Sequence, residues 1–151
     1  MAESNQQPIR TGSCLCGNIK YTLTGDPMAG FLCHCTNCKK FTGAPFQGTG
    51  AFKKEQVSIQ DPSSSLKTYE DKATDRGTNL RRSFCSNCGS SMFGVAVGRE
   101  NTIVLMVGTL DKGQPHWKPT IECYAQDSFG WAPSSEGTIV FSGALDYSAL
   151  K

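Results

Sequence analysis

Seven of the eight cysteines stand in three tight groups: SCLCG carries Cys14 and Cys16, CHCTNC carries Cys33, Cys35 and Cys38, and FCSNCGS carries Cys85 and Cys88. Cys123, in IECYA, stands alone. Thiolates this close in sequence reach a common ion at little loop-closure cost. Gly17 and Gly89, each directly after a pair, fit the tight turns that aim backbone amides at the sulfurs. Soft sulfur donors in tetrahedral array suit zinc, although iron–sulfur clusters use the same ligands. Four thiolates close a structural zinc site and three leave a position open, so seven divide naturally as four plus three.

Spacing leaves two partitions. Cys14 and Cys16 can join Cys85 and Cys88, which leaves Cys33, Cys35 and Cys38 as the open set. Alternatively, Cys35 and Cys38 join Cys85 and Cys88 as a zinc ribbon, and the remainder is Cys14, Cys16 and Cys33. The first is preferred, because its three ligands come from one six-residue loop. The remainder in the second must be gathered across sixteen intervening residues.

The chain's 151 residues suffice for one core, so a single domain is expected. Fifteen Lys and Arg against thirteen Asp and Glu leave a net charge of +2, too weak a field to draw nucleic acid or an anionic membrane. MAESNQQPIR lacks the apolar run of a signal peptide, and no stretch approaches the roughly 18 to 20 apolar residues of a membrane span. The expected address is cytoplasmic, where thiols stay reduced and clustered cysteines bind metal; a four-disulfide secreted protein is the alternative.

Scattered Gly and Pro, scarce helical periodicity and recurring β-branched segments predict a mainly β fold. Strands are expected at NIKYTLTG, with Ile19, Tyr21 and Leu23 on one face, and at RRSF, SMFGVAV, TIVLMVG and TIVFSG, with an exposed strand at LKTYE. A short helical turn is expected after Cys35, running through Cys38 and Lys40, and SALK at the C-terminus is weakly helical.

GSCLCGNIKY, CHCTNCKKFTGAPF and FCSNCGSSMF, followed by a segment ending at Trp131, resemble the glutathione-dependent formaldehyde-activating enzymes, whose family includes the centromere protein V type domain. The similarity runs from about Gly12 to Trp131. It implies an Mss4-like fold of β-sheets over residues 12–141, between a polar tail at 1–11 and a C-terminal tail at 142–151. It also implies two zinc sites: a structural one at Cys14, Cys16, Cys85 and Cys88, and a catalytic one at Cys33, Cys35 and Cys38. The implied activity is that of a carbon–sulfur lyase, joining formaldehyde to glutathione or cleaving a related adduct. The family's segment before the final tryptophan often carries a basic residue; here ECYAQDSFGW has none between Glu122 and Trp131, which favours the broader class of glutathione adducts and thioethers.

An open three-thiolate zinc suits a substrate thiol, as attacking nucleophile or as leaving group. His34 is the nearest candidate to carry the proton, although an extended C-H-C stretch turns its side chain away from the flanking sulfurs. Lys39, Lys40 and Arg82, with Arg81, are candidates to hold the carboxylates of glutathione as co-substrate. Thr42 and Gly43 fit a turn near the loop, Phe41 and Phe46 are expected in the wall or core, Cys123 as a small buried hydrophobe and His116 at the surface. Two other functions stay open: a non-catalytic zinc-stabilised binding module, and a zinc enzyme dehydrating or isomerising a carbonyl compound.

Overall fold

The computed structural model describes residues 7–132, 134 and 136–150. Its elements in chain order are β1 (Ile9–Ser13), β2 (Lys20–Thr24), β3 (Ala29–Cys33), α1 (Thr36–Thr42), β4 (Gln47–Lys53), β5 (Val57–Gln60), β6 (Leu66–Asp71), β7 (Leu80–Cys85), β8 (Ser91–Ala96), β9 (Thr102–Met106), β10 (Ile121–Cys123) and β11 (Ile139–Val140). They form two sheets, β1-β2-β5 and β11-β10-β3-β4-β9-β8-β7-β6. Neighbours run antiparallel, except that β10 lies parallel to both β3 and β11.

The period-two pattern of β2 explains how the sheets meet. Ile19, Tyr21 and Leu23 share one face and are almost fully buried against Phe52 of β4, Met92 and Phe93 of β8, and Leu105 of β9. Tyr21 meets Phe93 edge to face at 5.7 Å. Each such side chain contributes about 1.5–3 kcal/mol relative to exposure. The small sheet is thus fastened over one face of the large one by its own alternation.

β3 and β4 carry little strand signal in sequence, and Trp117 is the reason. A Cβ at Gly50 would lie 2.5 Å from the indole, and one at Gly30 would lie 2.8 Å from it. The indole therefore rests on bare backbone, with Nε1 donating to the Thr49 carbonyl at 3.1 Å. Glycine lowers strand propensity, but here it allows the close approach.

Beyond β3, a second apolar cluster joins Ile121 and Cys123 of β10 to Leu145, with Phe31 and Phe141 packed against it. Leu145 lies inside the stretch expected to be a tail, and β1 begins at Ile9, ahead of the edge expected at residue 12. Residues 1–6 and Lys151 of SALK lie outside the described residues; Tyr147–Leu150 form a 3-10 turn. TIVLMVG leaves the strand at Met106 for a 3-10 turn at Val107–Thr109, and TIVFSG supplies only the exposed pair Ile139 and Val140. LKTYE lies in β6, the exposed edge of the large sheet. No helix among the described residues is long and apolar enough to cross a membrane.

Candidate functional site

The turn after β1 and the turn after β7 bring Cys14, Cys16, Cys85 and Cys88 together, all four sulfurs within 4.8 Å of one another. The Cys14–Cys16 and Cys16–Cys85 sulfurs are 3.5 and 3.8 Å apart. A tetrahedron with zinc–sulfur bonds of about 2.3 Å has edges of about 3.8 Å, so the set fits that ion. Gly17 (φ 79°) and Gly89 (φ 76°) close the two turns, their amides donating to the Cys14 and Cys85 carbonyls at 3.0 and 2.8 Å. Ser90 ties the turns together: its hydroxyl accepts from the Leu15 amide at 2.9 Å and lies 3.2 Å from the Cys88 sulfur. That hydroxyl helps hold the Cys88 pKa down at about 5.

Cys33, Cys35 and Cys38 form the other group, again within 4.8 Å, and no fourth His, Cys, Asp or Glu donor joins them among the described residues. Cys33 ends β3, Cys35 caps α1 by accepting the Cys38 amide at 3.3 Å, and α1 turns Cys38 back toward both. Gly43 ends the helix in the left-handed region (φ 63°). The Cys35 pKa is lowered by hydrogen bonds from Cys33 and Cys38, with help from the Arg82 charge, and that of Cys33 is correspondingly raised. No disulfide joins any of the eight cysteines in this structure. Of the two partitions, the sulfurs follow the preferred one.

The three-sulfur group lies in the wall of a cavity of about 340 Å³. Phe31, Gln47 and Thr49 line it from β3 and β4, and Cys123 and Tyr124 from the end of β10. Arg76, Arg99 and Tyr147 stand at its exposed edge, with the two guanidinium carbons 5.2 and 4.6 Å from the Tyr147 ring centre. Tyr124 holds a left-handed backbone (φ 56°), uncommon for a bulky residue, and its amide donates to the Gly143 carbonyl at 2.8 Å. Burial pushes its phenol up to about 12.

Arg82 reaches the cavity from beneath. It is only 5% exposed; Nε donates to Asp71 at 2.8 Å, and a second nitrogen lies 3.8 Å from the Cys38 sulfur. Asn37 donates to both Asp71 oxygens, at 3.1 and 3.0 Å. Burial opposes the charges of this pair, but Cys38 and Asp71 outweigh it and raise the Arg82 pKa. This ion pair fixes the guanidinium beside the sulfurs.

The other candidates lie elsewhere. His34, expected as the nearest proton carrier, is fully buried outside the cavity lining; its Nε2 meets Glu122 at 2.7 Å and its Nδ1 has no hydrogen-bond partner among the described residues. The alternation of an extended strand separates it from its sulfur neighbours. Lys39 donates to the Asp127 carbonyl at 2.7 Å and stacks over Phe129 at 4.3 Å, Lys40 is exposed, and neither lines the cavity. Arg81 pairs with Glu100 at 3.6 Å, and His116 is exposed. Thr42 bonds the Cys38 carbonyl at 2.9 Å, Phe41 lies 5.3 Å from the Arg82 guanidinium carbon, and Phe46 packs near His34 at 5.9 Å. Arg76, Arg99, Gln47 and Tyr147 carry no local signal in sequence, because long-range pairing alone brings them to the cavity.

The profile of the glutathione-dependent formaldehyde-activating enzymes matches residues 9–127, a span that contains both cysteine clusters. A Fusarium vanettenii protein assigned by name to those enzymes is 31% identical over 83 residues, or 54% of this chain and 42% of the relative. A Talaromyces marneffei relative of the same designation is 31% identical over 81 residues, covering 54% and 41%. The matched segment thus spans about two fifths of these relatives. A Rhodobacter sphaeroides crystal structure shares the fold, with a TM-score of 0.53 at 18% identity over 70% of this chain and 91% of that one. With the profile extending from β1 to the residues just past β10, the chain belongs to the glutathione-dependent formaldehyde-activating enzyme family.

Proposed function

We propose that this chain is a zinc-dependent carbon–sulfur lyase that forms or cleaves glutathione adducts, S-(hydroxymethyl)glutathione among them, or related thioethers. The observation that carries the reading is the incomplete donor set: three sulfurs gathered at a cavity wall with no fourth protein ligand in the group among the described residues. The same chain completes a four-sulfur set elsewhere. Three soft donors fit zinc, and zinc held there would favour the thiolate form of a substrate sulfur at neutral pH.

The protein's own groups have distinct tasks in this reading. Cys35 and the α1 turn fix the three donors, and the Arg82 guanidinium, anchored by Asp71, lies where it offsets part of their negative charge. Phe31, Tyr124 and Leu145 give the cavity an apolar side that limits water around the reacting carbon. Arg76 and Arg99 have no ion-pair partner among the described residues and suit the carboxylates of a glutathione-like ligand. A cytoplasmic address, with its reducing thiol pool, belongs to the same reading.

The test is zinc content and turnover of formaldehyde with glutathione, for the parent and for a folded Cys35→Ala variant. Two zinc ions falling to one, with turnover lost, is the expected result. Undiminished turnover in Cys35→Ala sinks the proposal, and two bound zinc ions without turnover of any carbon–sulfur adduct would mark a binding module instead.

A further inference from the structure

Gln47 opens β4 directly opposite Cys33 in antiparallel register. Side chains so opposed leave the same face, with Cβ atoms about 4.5–5.5 Å apart, so Gln47 and the sulfur-bearing Cys33 are neighbours on one side of the sheet. Both residues line the cavity. Gln47 is 7% exposed, and its Oε1 is buried without a hydrogen-bond partner among the described residues. Buried amide oxygens in folded proteins nearly always meet a donor, from the protein, a water or a ligand. The side chains nearest in register, Cys33 opposite and Thr49 two positions along, form no hydrogen bond with it among the described residues.

We propose that Gln47 is the residue that holds the oxygen on the reacting carbon, and that the cavity therefore selects carbon–sulfur adducts bearing a hydroxyl on the carbon attached to sulfur over plain thioethers. The inference rests on reading the three-sulfur group as a carbon–sulfur centre. In an adduct R–S–CH₂–OH, the hydroxyl donates to Oε1. Cleavage breaks the carbon–sulfur bond with its electron pair staying on sulfur. The oxygen's pair forms the carbonyl, and the hydroxyl proton leaves to water. In the reverse direction the carboxamide NH₂ can donate to the carbonyl oxygen that becomes this hydroxyl. A hydroxyl both donates and accepts, so it satisfies the amide in either orientation of its end group. A plain thioether leaves the buried oxygen unmatched.

The experiment compares binding of S-(hydroxymethyl)glutathione, kept formed by excess formaldehyde, with binding of S-methylglutathione to the zinc-loaded full chain. Replacing Gln47 by the similarly sized, apolar Met (Gln47→Met) is expected to weaken the hydroxymethyl adduct about 10- to 100-fold and to leave S-methylglutathione nearly unaffected. Equal weakening of both ligands, or of neither, overturns the proposal. A second readout needs no folded variant: the Gln47 side-chain amide resonances, assigned by through-space contacts to Cys33, should shift with the hydroxymethyl adduct and not with S-methylglutathione. An amide unmoved by a bound hydroxymethyl adduct overturns it as well. The adduct of formaldehyde with 2-mercaptoethanol separates this inference from the wider one. If it moves the amide while the glutathione adduct does not bind, Gln47 keeps its role and glutathione loses its place; if neither adduct binds, both readings fall.

Discussion

The two cysteine clusters use the same donor on similar short turns, and they differ in where the chain finds their members. The closed cluster takes two sulfurs from each of two turns distant in sequence, with Cys16 and Cys85 lying 69 positions apart. The open cluster takes all three from one loop and the first turn of α1. A metal that bridges distant segments constrains the unfolded chain and becomes part of the fold. A metal held within one loop constrains little, so that site can leave a position for chemistry. Their surroundings follow the same division: the closed cluster is knit by backbone and serine bonds, whereas the open one faces a cavity and leans on one buried ion pair.

The sharpest way to break this comparison is Cys85→Ser, because Cys85 is fully buried in the closed cluster. If the cluster holds a structural metal, the substitution is expected to cost stability comparable to the whole folding free energy of a domain, about 5–15 kcal/mol, seen as a collapsed thermal transition by circular dichroism. A variant with the parent's melting temperature would show that the cluster is not a structural one.

The next effect in size tests the support of the open cluster. Arg82→Met leaves Asp71 buried without its cation and is expected to destabilise by about 3–5 kcal/mol in urea unfolding. Arg82→Met combined with Asp71→Leu should recover most of that loss. The same pair predicts a pH dependence. Burial pushes the Asp71 carboxyl up, but hydrogen bonds from Asn37 and Arg82 outweigh it and leave the pKa lowered. Its contribution is then complete above the unfolded value of about 3.9 and fades as pH falls through the lower folded value. A urea midpoint that drops on acidification as far in the double variant as in the parent would contradict this assignment.

The smallest expected effect lies at the exposed edge. Arg76→Gln and Arg99→Gln should each raise the KM for glutathione about two- to fivefold, the scale of exposed charge pairs, without shifting the melting temperature. An unchanged KM with glutathione, while turnover persists, would remove these arginines from ligand binding.

What was legible in the sequence follows from how local each cause is. The alternation of Ile19, Tyr21 and Leu23 marked the buried face at and just before β2, and the close spacing of the cysteines narrowed the sulfur groups to two partitions, of which the preferred one matches the structure. β3 and β4 were hidden, because their glycines answer to Trp117, a residue far along the chain whose packing no local window contains. The cavity was hidden for the same reason. Lys39 and Lys40, adjacent to the sulfurs in sequence, fall outside its lining, while Arg76 and Arg99 reach it from distant loops. Arg82 was visible only as a charge before a cysteine pair; its burial against Asp71 depends on the pairing of β6 with β7.

The parallel pairing of β10 with β3 also places events in time. A growing chain that has been made as far as Cys88 already contains every sulfur of both clusters, but it lacks β10, Leu145 and Tyr147, which complete the cavity. At ordinary rates of synthesis the remaining stretch to Tyr147 takes roughly 3 to 12 s. Through that interval all seven clustered cysteines have been made, while the residues that complete the cavity wall have not. An ion taken up by the sulfurs at that stage would be bound before β10, Leu145 and Tyr147 close around them.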